Sequence, residues 1–99
     1  MLKVVKKDDK LDLSGPKNMV LFTATWCGMC SMFKPVVEEF VSKHDEVVVY
    51  SVDVDENREL AREYGVTSIP SYYIIENDKM VDSKVGFIPL PQLEKLVLG

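Results

Sequence analysis

Two nearly continuous apolar runs, at 19–24 and 47–54, constrain most strongly what this chain can fold into. Such runs are typical of central β-strands that are buried on both faces. Between them, residues 27–43 carry apolar side chains at helical spacing, while Glu38 and Glu39 fall off that stripe. A strand, a helix and a second strand in this order predict two parallel strands joined by a crossover.

The remaining segments predict three shorter strands and three further helices. The strands are expected at 2–5, 71–75 and 80–85, and the helices at 8–13, at 57–64 and around Leu93, Leu96 and Val97. Residues 76–79 have the composition of a hairpin turn, so the last two strands should be antiparallel. The element order βαβαβαββα predicts an α/β fold with a central mixed sheet and helices on both faces.

Length, charge and hydropathy narrow the class of protein. The chain has 99 residues, which fits a single domain spanning 1–99. Its formal charge is 12 basic minus 16 acidic residues, or −4, which argues against a nucleic-acid surface. The N-terminal stretch lacks the apolar core of a signal peptide, and no apolar run approaches the roughly 20 residues of a membrane helix. We therefore expect a cytoplasmic protein without a membrane or nucleic-acid partner, and nothing in the pattern indicates more than a monomer.

The two cysteines of the chain, Cys27 and Cys30, lie where a buried strand gives way to a helix. A cysteine at a helix N-terminus faces unpaired backbone N–H groups and the positive end of the helix dipole, which favour the reactive thiolate. Such a thiolate can attack a disulfide and form a mixed disulfide. We predict that Cys27 is the nucleophile and that Cys30, one turn later, is the resolving thiol.

Two other interpretations of the cysteine pair are weaker. The cysteines could be small buried apolar residues, although their spacing at a strand–helix junction disfavours this. A zinc site normally needs four ligands, and the only further Cys or His is His44, far along the same helix. We therefore expect no metal.

On these residues the chain resembles the thioredoxin family over nearly its whole length. The motif Trp-Cys-Gly-x-Cys stands at 26–30, and Pro35 matches the proline inside the family's active-site helix. The segment 64–70 matches the stretch that ends in the family's cis-proline, and 84–86 resembles the loop beside the cysteines. The resemblance implies the thioredoxin fold and the activity of a protein disulfide oxidoreductase.

The resemblance also implies a substrate groove around the cysteines. The Ile69–Pro70 peptide bond should be cis, and the backbone before it should pair with an extended substrate segment by strand addition. The residues expected to line this shallow apolar groove are Trp26, Gly28, Met29, Ile69, Pro70, Gly86 and Phe87.

The same resemblance implies the electron flow. The dithiol itself carries the electrons, so no bound cofactor is expected. Electrons should come from NADPH through a thioredoxin reductase, and the other partners should be proteins that contain disulfides. In the cytosol the chain should act mainly as a reductant.

Two single positions depart from the family's usual pattern. Met29 stands where a proline is usual, and it adds a backbone N–H near the sulfur of Cys27. We expect this donor to stabilise the thiolate and to make the couple somewhat more oxidising. Thr23 stands where a second tryptophan is common, which changes aromatic packing and not the reaction.

A third departure concerns a buried charge pair. Leu21 and Ser51 stand at the positions of the family's usual aspartate and its lysine partner. The joint absence is chemically consistent, because either charge alone is costly to bury. Cys30 should then lack a nearby carboxylate base and depend on water or on substrate groups.

Two alternative functions remain at this stage. A glutaredoxin-like protein that uses glutathione also combines Cys-x-x-Cys with a cis-proline, but it usually lacks the N-terminal strand and helix that residues 2–13 are predicted to supply. A non-catalytic interaction module could use the same groove to hold a partner. The intact Cys27 and Cys30 argue against that module.

Overall fold

The computed structural model describes residues Met1–Gly99, with five strands in one sheet. In chain order the strands are β1 (Leu2–Val4), β2 (Asn18–Thr23), β3 (Val48–Asp53), β4 (Ser71–Glu76) and β5 (Lys79–Val85). Across the sheet they run β1-β3-β2-β4-β5. β1 and β2 are parallel to β3, whereas β4 is antiparallel to β2 and β5. The five predicted strands, the parallel crossovers and the final hairpin are thus confirmed.

Helices lie on both faces of the sheet, as predicted; they are α1 (Gly28–Lys43), α2 (Arg58–Glu63) and α3 (Leu90–Leu98). On one face Phe33 of α1 and Leu93 of α3 join Leu21 in a buried core. On the other face Leu60 of α2 packs against the core that contains Phe22. Because successive side chains of a strand point to opposite faces, β2 contributes to both cores. None of the helices combines the length and the apolar content required to cross a membrane.

The predicted helix at 8–13 is wrong, because these residues form a turn and an irregular connection. Asp9 accepts a hydrogen bond from the Lys6 backbone N–H at 2.8 Å, and Asp8 has φ +73°. Further on, the hydroxyl of Tyr50 donates to the Asp12 carbonyl at 2.8 Å. Aspartate side chains in this segment compete for the backbone groups that a helix would use: besides Asp9, Asp12 accepts a hydrogen bond from the Ser14 N–H at 3.1 Å.

Positive-φ residues end elements where the sequence predicts turns. Gly65, with φ +66°, follows α2. Asn77 and Asp78, with φ of +52° and +65°, connect β4 to β5, and two successive left-handed residues match the right-handed twist of a hairpin.

Candidate active site

The two cysteines lie at the end of β2, where the chain enters α1. Cys27 is the N-cap residue of α1, and its backbone is extended, with φ −92° and ψ 111°. Its sulfur accepts a hydrogen bond from the backbone N–H of Cys30 at 3.2 Å. Since this N–H belongs to the first turn of the helix and has no partner within it, the site favours a negatively charged sulfur at Cys27.

Cys27 and Cys30 form a disulfide, with their Cα atoms 5.2 Å apart. Both residues are buried, and they pack with Ala24 against Val54 and Ile69. Their separation lies within the range that a disulfide requires. The pair can therefore open and close within one helical turn.

The segment before β4 passes directly beside the cysteines. The Ile69–Pro70 peptide bond is cis, as the resemblance implies. The carbonyl oxygen of Ile69 lies 3.9 Å from the Cys27 sulfur. Neither the N–H nor the C=O of Ile69 takes part in a backbone hydrogen bond, so both groups are available to an added strand.

Met29 and the loop after β5 lie next to each other, beside the cis-proline segment. The Gly86 N–H donates to the Pro70 carbonyl at 2.9 Å, which joins this loop to the cis-proline segment. Gly86 has φ +96°, and a Cβ there would lie 3.9 Å from the Met29 sulfur. Phe87 follows, 40% exposed, with its ring edge against Phe33 at a centroid distance of 6.0 Å. Met29, Pro70 and Gly86 are thus brought together.

Trp26 and Gly28 flank Cys27 in the chain and are both exposed. The Trp26 side chain is 68% exposed, and its indole N–H donates to the Asp55 carboxylate at 2.7 Å. A Cβ added at Gly28 would meet no atom within 4 Å, so this position borders open space. The Trp26 ring therefore presents an exposed apolar surface, and its hydrogen bond to Asp55 fixes one edge of the ring.

Three residues near the site were missed by the sequence analysis. Asp55 follows the apolar run of β3, and its place at the edge that also carries Cys27 could have indicated it. Met32 is 64% exposed on α1, two residues after Cys30. Tyr72 is buried in β4, and no sequence signal distinguishes it from an ordinary core aromatic.

A cavity of about 350 Å³ lies behind Cys30, on the side that faces β1 and β3. We call it the rear cavity; its lining includes Leu2, Val4, Leu21, Cys30, Lys34, Val37, Glu38, Ser51 and Asp53. Leu21 and Ser51 are neighbours across β2 and β3, and Leu21 is buried. The carboxylates that line the rear cavity belong to Glu38 and Asp53 and not to the residue at position 21.

The hydrogen bond at the Cys27 sulfur comes from Cys30, and Met29 makes none. In the disulfide form, therefore, the extra N–H of Met29 is not directed at sulfur. The expected effect of Met29 on the thiolate concerns the reduced form and stays a prediction.

His44 lies at the other end of α1 from the cysteines. It is the C-cap residue, and its Nε2 is 2.6 Å from the Glu94 carboxylate of α3. No three His, Cys, Asp or Glu side chains lie close enough together to hold a metal ion. His44 thus links two helices and is not grouped with the cysteines.

Comparisons with known proteins point to one family. The family model described as Thioredoxin matches residues 3–98. The thioredoxin of Bacillus subtilis is 43% identical over 77 residues, which is 77% of this chain and 74% of that protein. The thioredoxin of Staphylococcus epidermidis is 36% identical over 98 residues, which covers 98% of this chain and 94% of that protein.

Solved thioredoxin structures superpose closely on this chain. A mutant thioredoxin from Halobacterium salinarum superposes with a TM-score of 0.86 at 31% identity, over 97% of this chain and 87% of that one. Plasmodium falciparum thioredoxin gives 0.85 at 31% identity, over 95% and 94% of the two chains. The fold is therefore the thioredoxin fold.

The mixed sheet, the cysteine pair at the start of α1 and the adjacent cis-proline define a thiol–disulfide oxidoreductase. The chain belongs to the thioredoxin family, and its activity is that of a protein disulfide oxidoreductase.

Proposed function

We propose that the chain reduces disulfides in other proteins, with Cys27 as the nucleophile and Cys30 as the resolving thiol. The observation that carries this assignment is the hydrogen bond from the Cys30 N–H to the Cys27 sulfur at 3.2 Å. It makes Cys27 the sulfur that the helix start stabilises as an anion. Cys30 lies inside the helix and receives no such bond.

The reaction proceeds by two exchanges. The Cys27 thiolate attacks one sulfur of the substrate disulfide; a mixed disulfide forms, and the other substrate sulfur leaves as a thiolate that takes up a proton. The Cys30 thiol then gives its proton to water and attacks the Cys27 sulfur; the bond between Cys27 and the substrate breaks, and the second substrate sulfur leaves as a thiolate that takes up a proton from water. The substrate gains two electrons and two protons, and the chain ends as the Cys27–Cys30 disulfide.

The groove positions the substrate for the first exchange. The free backbone groups of Ile69 support pairing with an extended substrate segment. Around them we assign Trp26, Gly28, Met29, Pro70, Gly86 and Phe87 to the groove. Trp26, Met29 and Phe87 supply exposed apolar surface suited to an unfolded or extended polypeptide, whereas Pro70 is buried and Gly86 is half-buried.

Insulin reduction by dithiothreitol tests the roles of the two cysteines. Wild type should accelerate the reaction, and Cys27→Ser should abolish the acceleration. Cys30→Ser should instead accumulate a mixed disulfide with insulin, because the second exchange is blocked. Equal activity of Cys27→Ser and wild type would favour a non-catalytic binding role.

The electron donor is a second part of the proposal. We infer that NADPH supplies the electrons through a thioredoxin reductase, without a cofactor bound to this chain. Of the N-terminal strand and helix that glutaredoxins usually lack, this chain has the strand, β1, which pairs with β3, but not the helix. Reduction of the oxidised chain by NADPH and a bacterial thioredoxin reductase, compared with reduction by glutathione, tests it. Faster reduction by glutathione would overturn it.

We further propose that residues 1–99 act as one monomeric domain in the cytoplasm. The mild net charge of −4 and the use of only two cysteines, both in the site, support this setting. Light scattering after size exclusion should give the mass of one chain, and cell fractionation should recover the protein with the cytoplasmic fraction. A stable dimer or a secreted protein would contradict the respective part.

A further inference from the structure

Tyr72 lies beneath the loop Gly86–Phe87, which forms one wall of the proposed groove. Its side chain is fully buried in β4, two residues after the cis-proline. Its hydroxyl donates a hydrogen bond to the Gly86 carbonyl at 2.8 Å. The Gly86 N–H donates in turn to the Pro70 carbonyl at 2.9 Å. Both backbone polar groups of Gly86 are thus tied to the segment that forms the neighbouring wall.

The ring of Tyr72 also belongs to a row of aromatic side chains under the groove. Its centroid lies 4.9 Å from that of Phe33, which sits on α1 one turn after Cys30. The Phe33 ring in turn contacts Phe87 at 6.0 Å. Through this row and the hydroxyl bond, Tyr72 sets where Gly86 and Phe87 lie relative to the active-site helix.

Packing alone does not account for a tyrosine at this position. The core around Tyr72 is built of aliphatic and aromatic side chains, and phenylalanine would fill almost the same volume. Burying a hydroxyl is unfavourable unless it finds a partner. Its partner here is the Gly86 carbonyl, in a loop that borders the groove.

We propose that Tyr72 is a positioning residue for the substrate, and that its hydroxyl fixes the Gly86–Phe87 wall in the form that an extended polypeptide needs. A wall fixed before binding saves the free energy of ordering that loop on the substrate. Small disulfides reach the Cys27 sulfur without using the wall. Tyr72 therefore favours protein disulfides over small ones. This inference rests on the proposed function only in that the groove binds the substrate.

Two tyrosines of the same strand provide a matched pair of variants. Tyr72→Phe removes the hydroxyl that bonds to Gly86. Tyr73→Phe removes a hydroxyl on the opposite face of the sheet, which donates to the Tyr64 carbonyl at 3.4 Å and accepts from the Ser71 hydroxyl at 3.3 Å. Each variant is measured in the reduced form with insulin and with cystamine, a small linear disulfide.

Tyr72→Phe should raise KM for insulin about fivefold, which corresponds to about 1 kcal/mol for one hydrogen bond. Its kcat on insulin and its rate with cystamine should stay at the wild-type values. An unchanged KM, an equal loss on both substrates, or the same rise in Tyr73→Phe would overturn the inference and leave the proposed function intact. Failure of the wild type to reduce insulin would overturn both.

The wild-type chain gives a test that does not depend on a variant that folds. In nuclear magnetic resonance, the Tyr72 hydroxyl proton should exchange slowly with water and show a nuclear Overhauser effect to the α-protons of Gly86. A rapidly exchanging hydroxyl without that contact would contradict the proposal.

Discussion

The two sides of the cysteine pair are formed by different parts of the chain: backbone groups in front and side chains behind. In front, the groove is shaped largely by backbone: the free groups of Ile69, the cis bond at Pro70 and the Gly86 loop. Behind, the rear cavity is lined by side chains that include the neighbouring residues Leu21 and Ser51. The front keeps the Trp-Cys-Gly-x-Cys motif and the cis-proline and departs from the family pattern at Met29, whereas the rear departs from it at both Leu21 and Ser51. In this chain the side chains behind the disulfide differ from the family pattern at two positions, whereas most of the proposed substrate surface in front keeps that pattern.

The largest expected effect is at the rear. Leu21→Asp should lower the free energy of unfolding by about 3–5 kcal/mol, the cost of an unpaired buried charge. Burial raises the pKa of the new carboxyl, so the folded state binds more protons than the unfolded state above about pH 4. The loss of stability should therefore be smallest in acid and grow as the pH rises. Urea unfolding over a pH series measures this.

Two further variants separate charge from shape at position 21. Leu21→Asn has the size of aspartate without the charge and should lose stability without the pH dependence. Leu21→Asp combined with Ser51→Lys should recover part of the loss, because the two positions are partners across β2 and β3. A Leu21→Asp variant more stable than wild type would contradict the buried placement.

The next effect is on the redox couple at the front. Met29→Pro removes a backbone N–H and should make the reduction potential more negative, by at most about 65 mV if one charge-assisted hydrogen bond to the thiolate is lost. Equilibration against glutathione measures the potential. Met29→Leu keeps the N–H and should match wild type. A potential in Met29→Pro that is unchanged or less negative would count against the donor.

A smaller effect should appear in alkali and concerns the groove wall. Burial raises the pKa of Tyr72 to about 12, above the ordinary value of about 10. Between these values the folded chain binds more protons, so the stabilisation from the neutral phenol is complete below about pH 10 and is lost as the pH rises toward 12. Denaturant unfolding should show a steeper fall in wild type than in Tyr72→Phe. Equal slopes would contradict the assignment.

The smallest effect is expected at the edge of the groove. Asp55→Ala removes the acceptor of the Trp26 indole N–H, an exposed bond that contributes less than about 1 kcal/mol. KM for insulin should rise by less than fivefold, about the ratio that this energy permits, and the Trp26 emission should shift. Glu56→Ala, at the exposed neighbouring acid, is the control and should leave both unchanged.

The sequence predicts what depends on hydrophobic pattern and on turn chemistry. The runs of β2 and β3, the apolar stripe of α1 and the cysteine pair are local signals, and each element lies within a few residues of its prediction. The cis bond at Pro70 and the groove followed only from the family resemblance. Residues 8–13 show the opposite case, because the Tyr50 hydroxyl that holds Asp12 comes from 38 residues away.

The hydrogen-bond partners of Asp55 and Tyr72 could not be predicted, for one physical reason, although the place of Asp55 after β3 indicated the edge of the sheet at which it lies. Each acts through one hydrogen bond to a residue distant in the chain, Trp26 or Gly86. A periodic pattern shows that Tyr72 is buried, but it does not show what its hydroxyl meets. Such contacts are fixed only when the strands and loops have taken their places.

The open backbone groups of Ile69 have a consequence for how such a protein changes over generations. A main-chain contact is made with the peptide group, which every polypeptide has. It therefore depends little on the side-chain sequence of the partner. Under the proposed pairing, mutations in substrate proteins therefore leave this main-chain contact intact. The same proposed groove can therefore accept many different substrate proteins. Substitutions of its own side chains would change its preference among them.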